Sequence, residues 1–332
     1  MDKKAIALIS GGLDSLLAAR LVMDQGVEVV GAAFVMQFAS RDAEQFKTRT
    51  ALAADEAGIP IIFKDISTEF LRVLKNPKYG YGANLNPCID CRILMLESAK
   101  KILREERAGF IVTGEVLGER PMSQMRGALE MIEKKTALEG LLLRPLSAKL
   151  FKETFAEKQG IVDRDKLLSI EGRSREVQLR LAKKFGLSKF FAPGGGCLLT
   201  DEIFSRKLRD LMAVGAMTKG DIDLLKHGRH FRLDKKTKII VGRDNSDNEK
   251  IQSLKEKNDV ILRLENDPSP YVLIRGEITA EKIETAAKFV ISHSKSRNKD
   301  KVAVEYWKDE KRKSILATKP MQLSEVNEKR IG

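Results

Sequence analysis

Ala5-Ile6-Ala7-Leu8-Ile9-Ser10-Gly11-Gly12-Leu13-Asp14-Ser15 is an apolar run of strand length that ends in a glycine-rich turn and leads into a helical pattern. A strand, a tight turn and a helix N-terminus aim unpaired backbone N–H groups and the positive end of a helix dipole at one spot. An anion docks well there. Gly11 and Gly12 permit close backbone approach, and the hydroxyls of Ser10 and Ser15 are able to donate to phosphate oxygens. The plain alternative is a capped βα turn with no ligand. The whole hexapeptide 10–15 at the end of a first strand favours phosphate over that alternative. No GxxxxGK[ST] pattern occurs anywhere in the chain, so transfer of a γ-phosphate is not the expected chemistry.

Working outward, the first 150 residues alternate short β-branched runs with helical patterns. Strands are expected over 4–10, 27–36, 60–66, 110–113 and 138–146, with crossover helices over 14–25, 43–58, 91–108 and 123–137. Such alternation predicts an α/β fold with a doubly wound parallel sheet, whose ligands sit at the C-terminal ends of the strands. Residues 151–227 read as a helical extension. Val177, Leu181 and Phe185 recur every four residues, Phe204, Leu208, Leu211 and Met212 repeat the pattern, and a loop ending at Cys197 lies between. From residue 228 the texture changes to strands over 238–243, 260–265, 271–277 and 302–307 with a helix over 280–294, predicting a small α+β domain over 228–332. The Lys- and Glu-rich tail after Lys311 is expected to be partly disordered.

The chain has 332 residues and a net charge of +13. Residues 1–150 hold 21 Lys and Arg against 19 Asp and Glu, leaving 39 against 28 for the rest. The basic excess therefore sits in the second half, which suits a nucleotide-activating part followed by a part that grips a phosphate backbone. No apolar run approaches membrane-spanning length. Three cysteines, Cys88, Cys91 and Cys197, argue against a disulfide framework and for reduced thiols in a cytoplasmic setting.

The hexapeptide Ser10-Gly11-Gly12-Leu13-Asp14-Ser15 resembles the signature of the PP-loop ATP pyrophosphatases, of the adenine nucleotide alpha hydrolase-like fold. The resemblance implies attack of a substrate oxygen on the α-phosphate of ATP, release of pyrophosphate, and accompanying Mg2+. Thr113-Gly114-Glu115-Val116-Leu117-Gly118-Glu119 with Ser123-Gln124, and then Leu143-Arg144-Pro145-Leu146, is similar to the motifs of the tRNA 4-thiouridine synthetase branch. Together with Cys197, which falls where those enzymes carry a sulfur-handling cysteine, the likeness covers roughly residues 4–200. It implies nucleotide contacts from Ser10, Gly11, Gly12, Leu13, Asp14, Ser15, Gly114, Glu115, Ser123 and Gln124, and catalytic roles for Asp14, Cys88, Cys91 and Cys197. Bacterial members carry an N-terminal RNA-binding extension and a C-terminal rhodanese-like segment that this sequence lacks, so another part is expected to seat the tRNA.

Asn86-Pro87-Cys88-Ile89-Asp90-Cys91 is similar to the cysteine signature of the tRNA 2-thiouridine synthetases. A helix N-terminus at this CxxC is expected to lower the thiol pKa. Several readings of the three cysteines stay open. One is a 4Fe-4S iron–sulfur cluster held by Cys88, Cys91 and Cys197 with one iron open, as in some archaeal-type tRNA thiolases. Another is a persulfide on Cys91 or Cys197 released as a disulfide forms. A third is structural zinc with His227 or His230 as fourth ligand, and the plainest is unconnected buried thiols. The sulfur donor is expected to be free sulfide or a persulfide carrier.

The stretch from Lys238-Ile239-Ile240-Val241-Gly242-Arg243 to Tyr271-Val272-Leu273-Ile274-Arg275 resembles the RNA-binding domain of ribosome quality-control factors. Arg243, Arg263 and Arg275 on its strands, with the basic stretch Lys295 to Lys301, are its candidate phosphate contacts, and Arg175, Arg206 and Arg209 on helices of the preceding extension are further candidates for tRNA phosphate. The overall expectation is an ATP-dependent tRNA sulfurtransferase, with an oligomer allowed. The alternatives are an amide- or nitrile-forming ligase acting on a small molecule and a non-catalytic RNA-binding factor.

Overall fold

The structure, a computed structural model, describes residues 3–38, 42–191, 197–215, 217–299, 301–309, 311–317 and 320–332. It divides into two compact units, Met1–Thr200 and Asp201–Gly332. The stretch 151–227 is divided between them.

The first unit runs β1 (Lys4–Leu8), α1 (Leu13–Met23), β2 (Glu28–Val35), α2 (Ala43–Glu56), β3 (Ile61–Asp65), α3 (Ser67–Lys75), α4 (Cys88–Glu105), β4 (Phe110–Val112), α5 (Arg126–Lys135), β5 (Leu142–Leu143), α6 (Phe155–Lys158) and α7 (Glu176–Phe185). The strands form one parallel sheet in the order β3-β2-β1-β4-β5. Its switch in strand order lies between β1 and β4, where an open α/β sheet binds ligands. Alternation along β1 feeds both faces. Ala5, Ala7 and Ile9 pack with Leu13, Leu16 and Leu17 of α1 and Ala182 of α7, while Ile6 and Leu8 pack with Leu96, Ala99 and Ile102 of α4.

Element boundaries moved for local reasons. Helix α4 starts at Cys88, three residues before the expected start, because the Pro87 carbonyl already accepts the Cys91 N–H at 2.8 Å. Helix α5 waits until Arg126, since Gly118 N–H to Gln124 carbonyl at 2.9 Å closes a turn first. The expected long strand over 138–146 shrinks to β5, with Leu138 N–H bonded to the Glu133 carbonyl at the end of α5 and Pro145 carrying no N–H. Helix α3, which buries Phe70 and Leu74, was not anticipated.

The second unit runs α8 (Glu202–Ala213), α9 (Lys219–Leu225), β6 (Arg229–Asp234), β7 (Thr237–Val241), α10 (Asn245–Ser253), β8 (Val260–Leu264), β9 (Val272–Gly276), α11 (Ala280–Ser292), β10 (Val302–Trp307), β11 (Arg312–Ala317), α12 (Leu323–Glu328) and β12 (Arg330–Ile331). Its sheet has the order β11-β10-β8-β9-β7-β6-β12, with every pairing antiparallel. One face packs on Phe289, Val290 and Ile291 of α11. The other gathers Ile240, Ile261, Leu273 and Trp307 with Leu224 of α9 and Ile251 of α10. The tail expected to be partly disordered instead supplies both edge strands. β11 pairs with β10 along six residues, and β12 pairs with β6. Backbone pairing orders a segment whose side chains bury little. Among the described residues no helix is long and apolar enough to cross a membrane.

Candidate active site

The turn between β1 and α1 is held by its own hydroxyls. Ser15 Oγ donates to the Gly12 carbonyl at 2.7 Å and accepts from Ser10 N–H at 3.2 Å, and Gly12 N–H donates to Ser10 Oγ at 3.3 Å. Gly12 caps α1 with no side-chain hydrogen bond, so the first-turn N–H groups of an 11-residue helix have no side-chain acceptor. Gly11 is left-handed at φ +75°, and a Cβ there would sit 2.6 Å from the Phe191 ring. Phe191 N–H in turn donates to the Gly11 carbonyl at 2.8 Å. Phe191 therefore lies against the β1–α1 turn.

Gly114, at the end of β4, explains the spacing of its motif. A Cβ on it would come within 2.5 Å of the Asp14 carbonyl carbon and the Ser15 nitrogen, so only glycine lets the β4 loop lie on the first turn of α1. Glu115 beside it is buried and engaged. Its carboxylate meets Arg92 Nε at 3.1 Å and Arg144 Nε at 3.1 Å and accepts from Thr113 Oγ1 at 3.0 Å, while Arg144 also reaches Glu133 at 2.8 Å. Burial works to raise the Glu115 pKa, but the two guanidiniums and the hydroxyl hold it below the ordinary range. Glu115 thus ties the β4 loop to the residue after Cys91. Ser123 and Gln124 are buried in the same loop.

Asp14 faces α7. Arg175 Nη2 stands 3.4 Å from Asp14 Oδ2. Burial raises the Asp14 carboxyl above its ordinary value against the pull of Arg175 and Arg120, and burial with the nearby Asp14 charge raises Glu119 too. Around this pair, Asp14 Oδ1 and Arg175 Nε are buried without a hydrogen-bond partner, and the Gln178 amide lies within reach of the Asp14 carboxylate and favours its ionised form. Gln178 itself is fully buried. Such groups normally find partners, and unpaired atoms on both Asp14 and Arg175 leave this place able to receive polar groups. Arg92, Arg120 and Gln178 were not foreseen. A polar Gln178 on the buried side of an amphipathic helix, three residues after Arg175, was the one available signal.

Cys88 and Cys91 occupy the first turn of α4, and Asp90 between them accepts from Lys78 N–H and Tyr79 N–H at 3.0 Å each. Cys197 begins a stretch tied to the loop before Cys88 by Leu85 N–H to the Leu199 carbonyl at 3.1 Å and by Asn84 Nδ2 to the Thr200 carbonyl at 2.9 Å. The thiols are electrostatic neighbours, since charge on Cys197 or Cys88 disfavours ionisation of Cys91. The expected lowering of the thiol pKa by the helix end does not occur. Burial pushes Cys91 up to about 12 and Cys197 up to about 11, and raises Cys88 against the pull of Arg120 and Arg92. Desolvation outweighs the dipole, so all three rest as neutral thiols near pH 7. Among the described residues no three His, Cys, Asp or Glu side chains stand arranged to hold a metal ion. The glycine-rich residues 192–196 before Cys197 lie outside the described residues.

In the second unit the candidate phosphate-binding arginines are already paired. Arg243 bonds Asp247, Arg263 bonds Glu305, and Arg275 bonds Asp259 and Asp221. On α8, Arg206 pairs with Glu202, and Arg209 is exposed. His227 lies 3.5 Å from Asp247, and His230 contacts the His227 carbonyl at 2.8 Å. Both imidazoles serve the second unit's own packing.

Residues 1–161 match the family described as Thiamine biosynthesis protein (ThiI), and residues 228–330 match the NFACT protein RNA binding domain. The tRNA-specific 2-thiouridylase of Natranaerobius thermophilus is 31% identical over 130 residues, which is 34% of this chain and 35% of that protein. The probable tRNA sulfurtransferase of Methanothermobacter thermautotrophicus is 31% identical over 117 residues, 35% of this chain and 30% of that protein. The chain spans about a third of the length of these relatives. A 4-thiouridine synthetase–RNA complex with bound ATP aligns over 67% of this chain and 52% of that chain, at 22% identity and a TM-score of 0.38. That likeness is too slight to bear on function.

Proposed function

We propose that this chain, whose residues 1–161 belong to the ThiI family of PP-loop proteins, is an ATP-dependent tRNA sulfurtransferase that adenylates a uridine carbonyl oxygen and replaces it with sulfur. One observation carries the reading. Phe191 donates its backbone N–H to the Gly11 carbonyl, and Leu199, two residues after Cys197, accepts from the N–H of Leu85, three residues before Cys88. Nucleotide cradle and thiols are thereby joined by a single short stretch of chain.

ATP phosphates rest on the uncapped N–H groups of α1 with Gly11 and Gly12 beneath them, and Gly114 keeps the β4 loop close to the same turn. Arg175 and Gln178 supply polar contacts on the Asp14 side. The buried, unpartnered Asp14 Oδ1 fits a divalent cation carried in with the phosphates, and Mg2+ there would neutralise the departing pyrophosphate. Sulfur arrives at Cys88, Cys91 and Cys197. As a donor set the three thiols match the chemistry of an iron–sulfur cluster, while among the described residues no such trio stands arranged to hold a metal ion. When bound, such a cluster supplies a Lewis-acidic site for an anionic sulfur donor. The electrostatic proximity of Cys91 to Cys88 and Cys197 supports a second reading, in which a persulfide carrier passes its outer sulfur to one thiol and a neighbouring thiol then releases it as a disulfide forms. The second unit, which matches an RNA-binding domain, helps seat tRNA.

Pyrophosphate release from ATP, measured with and without tRNA, tests the proposal. Release that requires tRNA is expected. Equal release without tRNA would point to a small-molecule ligase, and none in either case to a binding factor. Anaerobic purification with metal analysis separates the sulfur routes: iron supports the cluster, zinc alone or no metal removes it.

A further inference from the structure

Arg120 stands out among the arginines around the PP-loop. Arg92 and Arg144 are held by Glu115, and Arg175 faces Asp14. Arg120 makes no ion pair among the described residues, and its side chain is exposed. Its backbone is nevertheless fixed. Its carbonyl accepts Gln124 N–H at 3.2 Å inside the turn that Gly118 N–H closes on the Gln124 carbonyl. On one side Gly172 N–H donates to the Leu117 carbonyl at 2.8 Å, fastening the turn to the stretch that leads to Arg175. On the other, Met122 Sδ presses on Gly82, where a Cβ would approach to 2.7 Å, and Gly82 N–H donates to the carbonyl of Asn86, two residues before Cys88. The turn is thus wedged between the segment that faces Asp14 and the loop that delivers the thiols. The guanidinium lies near enough to both sides for its charge to reach Asp14 and the Cys88 sulfur.

We infer that Arg120 is the residue that serves the sulfur-transfer half of the reaction, holding its guanidinium between the phosphoryl group of the adenylated uridine and the incoming sulfur anion. The inference rests on the sulfurtransferase reading. In that step hydrosulfide attacks the activated ring carbon. A C–S bond forms, the C–O bond to the phosphoryl oxygen breaks, its electron pair leaves with AMP, and the sulfur proton passes to solvent. No oxidant or reductant is consumed. Two anions must meet for this to happen, and a fixed cation between them offsets their repulsion as the transition state forms. A guanidinium also offers paired donors to the phosphoryl oxygens, which an ammonium does not reproduce.

The test uses the full chain with ATP, tRNA and sodium sulfide under anaerobic conditions, and reads the sulfur entering tRNA per pyrophosphate released. In R120Q that ratio is expected to fall about 100-fold, the scale of losing one transition-state donor, with adenylated tRNA accumulating. R120K should recover about a tenth of the wild-type ratio or more. A ratio in R120Q that stays at the wild-type value, whatever the overall rate does, overturns the inference. Failure of the wild-type chain to release pyrophosphate with tRNA overturns the parent reading instead, and this inference with it.

Discussion

The two units use arginine differently. In the second, Arg243, Arg263 and Arg275 each close on a carboxylate of the same unit. In the first, Arg175 only half-engages Asp14 at 3.4 Å and keeps a buried Nε without partner, while Arg120 makes no ion pair among the described residues. Paired arginines stabilise a fold; loosely held ones beside unpartnered buried atoms await a ligand. The first unit also has arginines paired in the manner of the second, Arg20 with Asp24 and Arg164 with Glu157 among them, and the most buried of these pairings, at Glu115, is the place to break the contrast hardest.

Glu115→Ala leaves the side chains of Arg92 and Arg144 without their shared carboxylate. A loss of about 3–5 kcal/mol from the first unit is expected. Urea unfolding followed by circular dichroism should show it, while the fluorescence of Trp307, the only tryptophan and part of the second unit, keeps its midpoint. Equal movement of both signals would contradict the assignment of the network to one unit.

Gly114→Ala acts on the ligand side. A Cβ 2.5 Å from the α1 backbone must shift the β1–α1 turn, and ATP affinity by calorimetry should fall at least about tenfold, or roughly 1.4 kcal/mol. Gly127→Ala in α5, where a Cβ meets nothing, should leave ATP affinity unchanged.

In the second unit, Arg243 and the Gly228 and Arg243 N–H groups hold Asp247 down to about 2 against the burial that would raise it. A carboxyl depressed in the folded state contributes stability that is fully present above its unfolded pKa near 4 and is lost as pH falls toward 2. Asp247→Asn should therefore cost the second unit about 1–2 kcal/mol at neutral pH, after allowing for solvent screening. It should also flatten the acid limb of the tryptophan-monitored stability curve between pH 4 and 2. An acid limb unchanged in slope would rule this out.

The smallest effect is expected from Arg263→Gln. Its charge is already matched by Glu305, so RNA affinity should change less than about twofold and its salt dependence should keep its slope, whereas losing a phosphate contact lowers that slope by about one. A drop of one in slope would return Arg263 to the RNA surface.

Much of this was legible in the sequence. Apolar strands broken by Gly11-Gly12 and by Thr113-Gly114 specify a parallel sheet and its switch point, because both signals are local. The close approach of Gly114 to Asp14 and the electrostatic proximity of Cys197 to Cys88 follow from motifs that the family resemblance ties together, not from spacing. The arginine roles were illegible for a physical reason: Arg263 finds Glu305 42 residues away and Arg275 finds Asp221 54 residues away, so a basic stripe in the sequence reveals nothing of its partners. The thiol pKa values ran against the helix-end rule because that rule describes a solvated terminus, and at Cys91 desolvation is the largest influence. Edge strand β11 escaped notice because Arg312, Lys313 and Ser314 face solvent and give no apolar alternation.

The most direct test of a shared nucleotide and thiol pocket is mass-spectrometric analysis of tRNA nucleosides after incubation with the chain, ATP and sulfide. One thiolated uridine per pyrophosphate released, lost in C197S while ATP still binds, is the predicted result. Pyrophosphate released with no thionucleoside in the wild-type reaction, or thiolation that persists unchanged in C197S, would contradict it.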